Sequence, residues 1–432
     1  MHETGEATGA GQRSSAVSAL AILTLILVIC NIDRMIIAIL FDLIKAEFAL
    51  MDWQLGLLSG LAFSTFYGVG SLWIARLAER RDRVTILAVC VGAWSALTVA
   101  CGLAVSYAQL LVLRMGVGLA ESGCQPASHS LIADFFDEDR RPVATGVYAA
   151  GALAGSLVAL PLGGWLAGHV GWRGALIAAG IPGILLALLL RGMIRDPRFD
   201  ARRARDVTES EPAGAAFRSV FAGAASRNII FGAVLYAIAS AAFLSFGPSF
   251  LIRKFGISAL DAGLYFGLLA GLPAVASNIF VGWLVARLAR RRRAWLQWIP
   301  ALAAAAGVGP TLVFLLAPDL SWALAALFVQ SALSVVWLGP SIAAIQSAVT
   351  PARRATGAAC LVASYTVIGF GLGPLFAGLL SDYLARSLGA LALGGGLIAL
   401  QPFALWAAFH FFRAGTALGP ADREDEEACA RS

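Results

Sequence analysis

Five ionisable side chains fall inside otherwise apolar stretches of the chain: Asp33, Arg34, Arg114, Glu121 and, nearer one end of its stretch, His129. Withdrawing a carboxylate or a guanidinium from water is costly. Such residues therefore mark ion or proton chemistry, unless they pair off and simply pack. Arg114 and Glu121 stand seven residues apart, two helical turns, on one face and about 10 Å apart along the axis. Asp33 and Arg34 are neighbours, about 100° apart around a helix, and do not pair with each other. Each needs a partner on another helix or a water-filled cavity, and Arg34 with Glu121 is the preferred cross-helix pair. A desolvated carboxylate holds its proton more tightly, and a nearby Arg opposes this. An anion that engages Arg34 would therefore free Glu121 to take up a proton. On this reading Asp33 and Glu121 are proton-coupling candidates, and Arg34, Arg114 and Glu121 are substrate-binding candidates. The bland alternatives stay open: a static ion pair that locks two helices, an Arg114 that snorkels to a surface, and a His129 that packs rather than relays protons.

The elements that must hold these residues are membrane-spanning helices. Of the 432 residues 59% are hydrophobic and only 13% charged, against about 45–50% apolar and about 25% charged in soluble domains. Spans of about 20 apolar residues match a hydrocarbon core of about 30 Å. Gly, Pro and charged punctuation divides the chain into twelve: 17–41, 53–78, 84–104, 109–135, 142–168, 172–191, 229–252, 260–286, 295–317, 320–347, 354–384 and 389–412. With the N-terminus inside, 25 of the 32 Lys and Arg residues fall on the inner side. This asymmetry predicts cytoplasmic N- and C-termini and explains the net charge of +6 without any nucleic-acid partner. The longest connection, 192–228, is polar and Arg-rich. It separates a six-helix bundle over 17–191 from a second over 229–413, with a disordered cytoplasmic tail at 1–16 and another tail at 414–432. The six cysteines are scattered, with no metal-ligand spacing, and no cofactor is implied. No nucleophile–base set or phosphate loop appears, which argues against an enzyme. A channel would want rings of polar pore-lining groups in an oligomer.

The two halves repeat each other. Ile74-Ala-Arg-Leu-Ala-Glu-Arg-Arg81 closes the second span, and Val285-Ala-Arg-Leu-Ala-Arg-Arg-Arg292 closes the eighth. Twelve spans, a division after the sixth and this duplicated basic cluster resemble the major facilitator superfamily: an all-α fold of two pseudo-symmetric six-helix bundles. The run Ala75 to Arg83 looks like its cytoplasmic signature, with Glu79 where that signature has Asp and Ala75 where it has Gly. The resemblance implies a conformational latch of Glu79, Arg80, Arg83 and Arg140. Three further runs resemble the Spinster-like subfamily: Asn31-Ile-Asp33-Arg34, Arg114-Met-Gly-Val-Gly118-Leu-Ala-Glu121-Ser-Gly123-Cys124, and Gly371-Leu-Gly373-Pro374 through Ser381-Asp382. Animal members of that subfamily move lysophospholipids and sphingolipid phosphates. Organic-anion symporters of the same superfamily also carry Asp-Arg in the first span.

Spans seven to twelve hold no ionisable residue at mid-depth. Their polar groups include Ser240, Gln330 and Gln401, amid aromatic residues such as Phe243, Phe246, Trp337 and Phe370. A cavity charged on one side and apolar on the other suits an anionic amphiphile, with Phe243, Trp337 and Tyr365 as further substrate-binding candidates. The expectation is a secondary transporter working by alternating access and coupled to protons. It would carry a lysophospholipid- or sphingolipid-like anion or, as the alternative, a small sugar or aromatic acid. It would work as a monomer in a bacterial inner membrane. Gly56 with Gly60, Gly151 with Gly155 and Gly164 with Gly168 stand four apart and predict close helix contacts.

Overall fold

The structure, a computed structural model, describes residues 3–197, 218, 220–350 and 353–430. Within these, the side chains of 3–15, 72, 75, 76, 78–80, 355 and 420–430 lie outside the description. Among the described residues the chain is helical, with no strand. In lipid every backbone N–H and C=O must be satisfied within the chain, and helices do this locally.

The first half runs α1 (Glu3–Phe48), α2 (Asp52–Ser59), α3 (Leu61–Arg80), α4 (Arg83–Gly102), α5 (Tyr107–Glu121), α6 (Cys124–Phe135) and α7 (Arg141–Met193). The second runs α8 (Ala224–Phe255), α9 (Ala259–Leu264), a π-helical turn (Tyr265–Ala270), α10 (Gly271–Ala289), α11 (Trp295–Leu316), α12 (Leu320–Ser334) and α13 (Leu338–Ala348). It ends with α14 (Arg354–Ser364), a second π turn (Tyr365–Phe370), α15 (Gly371–Leu388), a 3₁₀ turn (Gly389–Leu391), α16 (Ala392–Ala399) and α17 (Gln401–Ala430).

Eight stretches of the described residues are long and apolar enough to cross a membrane. One of them, α7, has 53 residues, about 80 Å of helix against about 30 Å of hydrocarbon. It cannot be a single crossing. Gly171 interrupts it at φ 68, ψ 177, a conformation that only glycine adopts cheaply. The residues just beyond the break tie back to the end of α1: Trp172 Nε1 donates to Glu47 Oε2 at 2.6 Å, and Arg173 pairs with Glu47 Oε1 at 2.5 Å.

Contacts divide the chain into two units. The first comprises Met1–Phe48 with Thr65–Thr208, the second Ala49–Ser64 with Glu209–Ser432. Small residues let helices approach closely in lipid, where dispersion and close packing replace the hydrophobic drive. In the first unit α7 meets α1 at Gly155, where an added Cβ would stand 2.5 Å from the Val28 carbonyl oxygen, and at Gly151 beside Thr24. Gly168 has open space instead, so of the third predicted pair this member marks no contact. In the second unit a Cβ at Gly60 would stand 2.5 Å from the Gly371 carbonyl oxygen, and Gly56 lies against Pro374.

Sequence spacing places residues 49–64 in the first bundle. The structure groups them with the second unit, and the cause is local. The Asp382 carboxylate accepts from the Asp52 and Trp53 amides at 3.0 and 2.8 Å, satisfying two of the unpaired donors at the start of α2. Asp52 in turn accepts from Ser381 Oγ at 2.6 Å and pairs with Arg253 at 2.8 Å.

Candidate anion and proton site

In the first unit Arg34 on α1 meets Glu121 at the end of α5. Arg34 Nη2 donates to Glu121 Oε1 at 3.0 Å. The two partners differ in exposure. The Arg34 side chain is 27% accessible, whereas that of Glu121 is fully buried. Cys30, one turn before Arg34, donates to the same Glu121 oxygen at 2.7 Å. The other oxygen, Oε2, is buried and has no hydrogen-bond partner among the described residues. The Arg34 guanidinium also lies over the Tyr67 ring, 4.9 Å from its centroid, a cation–π contact that orients the head group.

Asp33 faces another way, as the 100° turn requires. It is 1% exposed, and Thr98 Oγ1 on α4 donates to its Oδ2 at 2.7 Å. Its Oδ1 has no hydrogen-bond partner among the described residues. Arg114 is equally buried and lies within electrostatic reach of Asp33. The structure thus brings together Arg34 with Glu121 and, separately, Asp33 with Arg114. His129 is exposed and meets the Tyr148 ring edge-on at 5.1 Å between centroids.

Three contributors escape a reading of the sequence. Cys30 is legible in retrospect, since it stands four residues before Arg34 on the same helical face. Tyr67 and Thr98 carry no sequence signal that ties them to Arg34 or Asp33, because only the packing of α1 with its neighbours brings them there.

Of the residues expected to form a latch, Arg83 is the best defined. Its amide and Nε donate to Asp196 Oδ2 at 2.8 and 2.9 Å, its Nη1 reaches Ser130 Oγ at 2.7 Å, and its Nη2 pairs with Asp134 at 2.7 Å. Arg83 therefore ties the start of α4 to α6 and to the segment after α7. Arg140 is exposed beside the start of α7. The side chains of Glu79 and Arg80 lie outside the described residues.

In the second unit the aromatic candidates are packed among other rings. Phe243 lies 5.8 Å from Phe266 and 5.1 Å from Phe314. Trp337 meets Tyr365 edge-on at 5.1 Å, and Tyr365 meets Phe370 at 5.6 Å. Trp337 and Tyr365 are only 6% and 9% exposed. Tyr365 opens one of the two π turns, a wider coil that commonly appears at functional positions.

Long apolar helices among the described residues, with a partly buried ion pair between two of them, are the make-up of a polytopic membrane protein. The sequence profile of the Major Facilitator Superfamily matches residues 23–357, and the chain belongs to that superfamily. It is 32% identical over 391 residues to an MFS-type efflux pump of Mycolicibacterium smegmatis, covering 89% of this chain and 88% of that protein. Over 282 residues it is 27% identical to the cis,cis-muconate transport protein of Acinetobacter baylyi, covering 62% of this chain and 65% of that one. Among solved structures it is similar to a bacterial homologue of the human lysosomal transporter Spinster, in an inward-facing and unoccupied conformation. The TM-score is 0.83 with 28% identity, covering 94% of this chain and 98% of that one. The chain is thus a transporter of the superfamily and resembles the Spinster-like members in structure; its family and structural neighbours are transporters and not enzymes.

Proposed function

We propose that this transporter couples an anionic substrate to protons by exchange of partners on Arg34. The observation that carries the reading is the asymmetry of the ion pair, a partly accessible guanidinium bound to a fully buried carboxylate. An anion that reaches Arg34 displaces Glu121 Oε1. A carboxylate left in a low-dielectric site without its cation takes up a proton, and the unpartnered Oε2 gives that proton a place. Anion and proton then bind together, and alternating access carries both down their combined gradient. Asp33, held by Thr98, is a second proton site, and Arg83 with its carboxylate partners belongs to the latch that stabilises one state. The carrier works as a monomer in a bacterial inner membrane, with both termini cytoplasmic. The Lys and Arg asymmetry supports this orientation.

For the substrate, the resemblance to the Spinster-like subfamily implies an anionic amphiphile of lysophospholipid or sphingolipid type, and the likeness to the Spinster homologue over 94% of the chain supports that resemblance. The names of several curated relatives favour a second reading, a small organic acid: cis,cis-muconate, D-galactonate and gallate transporters are among them. Reconstituted protein with an imposed pH gradient tests the coupling and separates the substrates. Uptake of lysophospholipid, of sphingoid phosphate and of muconate or galactonate is measured with wild type and with Glu121→Gln. The expected result is pH-driven uptake of one class, abolished in Glu121→Gln while binding survives. Normal pH-driven uptake by that variant would sink the scheme.

A further inference from the structure

The basic cluster that closes α10 repeats the one that closes α3, and the two differ in their anions. Carried two residues further, the alignment of Ile74–Arg81 with Val285–Arg292 sets Asp82 against Arg293 and Arg83 against Ala294; within it, Glu79 stands against Arg290. In the first half, acids answer the basic groups. Arg83 pairs with Asp134 at 2.7 Å and with Asp196, and Asp82 caps α4 by accepting from the Val84 amide at 3.1 Å. The second half has arginines in place of both acids of the cluster. Between residues 212 and 421 the sequence contains three acids, Asp261, Asp319 and Asp382. All lie at the other end of the unit: Asp261 is in the first turn of α9, Asp319 caps α12 just beyond α11, and Asp382 is joined through Asp52 to Arg253 near the end of α8.

The arginines sit on a fixed platform. Arg291 and Arg292 donate their amides to the Leu288 carbonyl at 3.0 and 3.1 Å, and Trp295 donates to the Arg292 carbonyl at 3.2 Å, so the turn into α11 is closed by its own backbone. Trp298, in the first turn of α11, stacks on Phe412 of α17 with centroids 6.1 Å apart. Arg287, Arg290, Arg291 and Arg292 are exposed, and none of the four has an acid partner among the described residues. Like charges held together without a counter-charge repel one another, and an external anion relieves that. Along α10 the exposed groups come in a fixed order. Leu272, Ile279 and Phe280 are each more than half exposed, then Trp283, then Arg287, whose guanidinium lies 5.8 Å from the Trp283 ring centroid. From Ile279 to Arg287 is about 12 Å along the axis. Apolar, then aromatic, then basic is the order that matches the acyl chain, ester region and phosphate of a phospholipid.

We propose that the end of α10 and the turn Arg290–Arg292 bind the headgroup of an anionic phospholipid, a phosphodiester of net negative charge, with its acyl chains along Ile279 and Phe280. Guanidinium groups donate in a fork that matches phosphate oxygens, and Trp283 stands at the level of the esters. The lipid phosphate takes the part that Asp134 and Asp196 play for Arg83 in the first half. A topology signal needs only a number of positive charges at this end. It does not call for arginines in place of both acids of the cluster, nor for the ordered stripe behind them. The site lies wholly within the second unit and does not depend on the Arg34–Glu121 reading.

Thermal unfolding of the purified intact chain in a neutral mild detergent tests this, with phosphatidylglycerol added in increasing proportion. Phosphatidylcholine with the same acyl chains keeps the phosphodiester but cancels its charge, and inorganic phosphate supplies the anion without chains. Phosphatidylglycerol should stabilise wild type saturably, and the two controls at equal concentration should not. The triple variant Arg290→Gln, Arg291→Gln, Arg292→Gln should bind phosphatidylglycerol about tenfold more weakly or worse. A second triple variant, Arg191→Gln, Arg195→Gln, Arg227→Gln, removes as many exposed arginines elsewhere and should keep the response. Changing Asp422, Glu424, Asp425, Glu426 and Glu427 to the corresponding amides should leave it as in wild type. No saturable shift with phosphatidylglycerol, an equal shift with either control, or equal losses in the two triple variants would each overturn the proposal. A response confined to the amide variant would assign the arginines to the acidic tail and overturn it too. So would an Arg290–Arg292 variant that melts lower than wild type without lipid, since the arginines would then serve the fold.

Discussion

Replacing Glu121 by Gln keeps the shape of the side chain and removes its charge. In the wild type Glu121 accepts a charge-assisted hydrogen bond of 3.0 Å from Arg34, and on the proposed scheme it competes there with an incoming anion. Such bonds contribute about 1.5–3 kcal/mol net. The lower half of that range applies here, because the Arg34 side chain is 27% accessible and partly screened. Removing about 1.5–2 kcal/mol of competition predicts anion binding roughly 10- to 30-fold tighter in Glu121→Gln. The pH dependence should change as well. On the proposed coupling, wild-type anion binding takes up a proton and so strengthens as pH falls. In the variant the affinity should stay at its tight limit across mildly acid and mildly alkaline pH. Equilibrium binding of the substrate identified by flux, measured by calorimetry at both pH values, is the assay. Weaker binding in Glu121→Gln, or an undiminished pH slope, would refute the competition and leave the pair as a packing element.

Two further predictions concern the scaffold. Gly155→Ala should cost about 1–3 kcal/mol, because its Cβ would meet the Val28 backbone oxygen at 2.5 Å. Gly168→Ala, with nothing within 4 Å, should be neutral or stabilising by up to about 1 kcal/mol; equal melting of the two variants would refute the close-contact account. Asp382→Ala removes the acceptor for two amides at the start of α2 and should cost about 1–2 kcal/mol. Asp382→Asn, which keeps one acceptor oxygen, should recover part of that loss in the same melting experiment.

Residue types and their order along the chain are enough to recognise the class of the molecule and to single out the residues of its candidate site. Apolar content and the Lys/Arg asymmetry are properties of composition and order along the chain, so a polytopic membrane protein and an expected orientation can be read without coordinates. The cost of a charge in lipid makes Asp33, Arg34, Arg114 and Glu121 conspicuous as residue types, and helical periodicity alone separates Asp33 from Arg34. Tertiary structure decided the rest, since partners across helices have no sequence period. That Cys30 shares Glu121 Oε1 with Arg34, that Thr98 takes Asp33 and that Tyr67 lies under Arg34 follow from how α1 packs. The grouping of residues 49–64 with the second unit rests on an acid more than 300 positions away that caps α2.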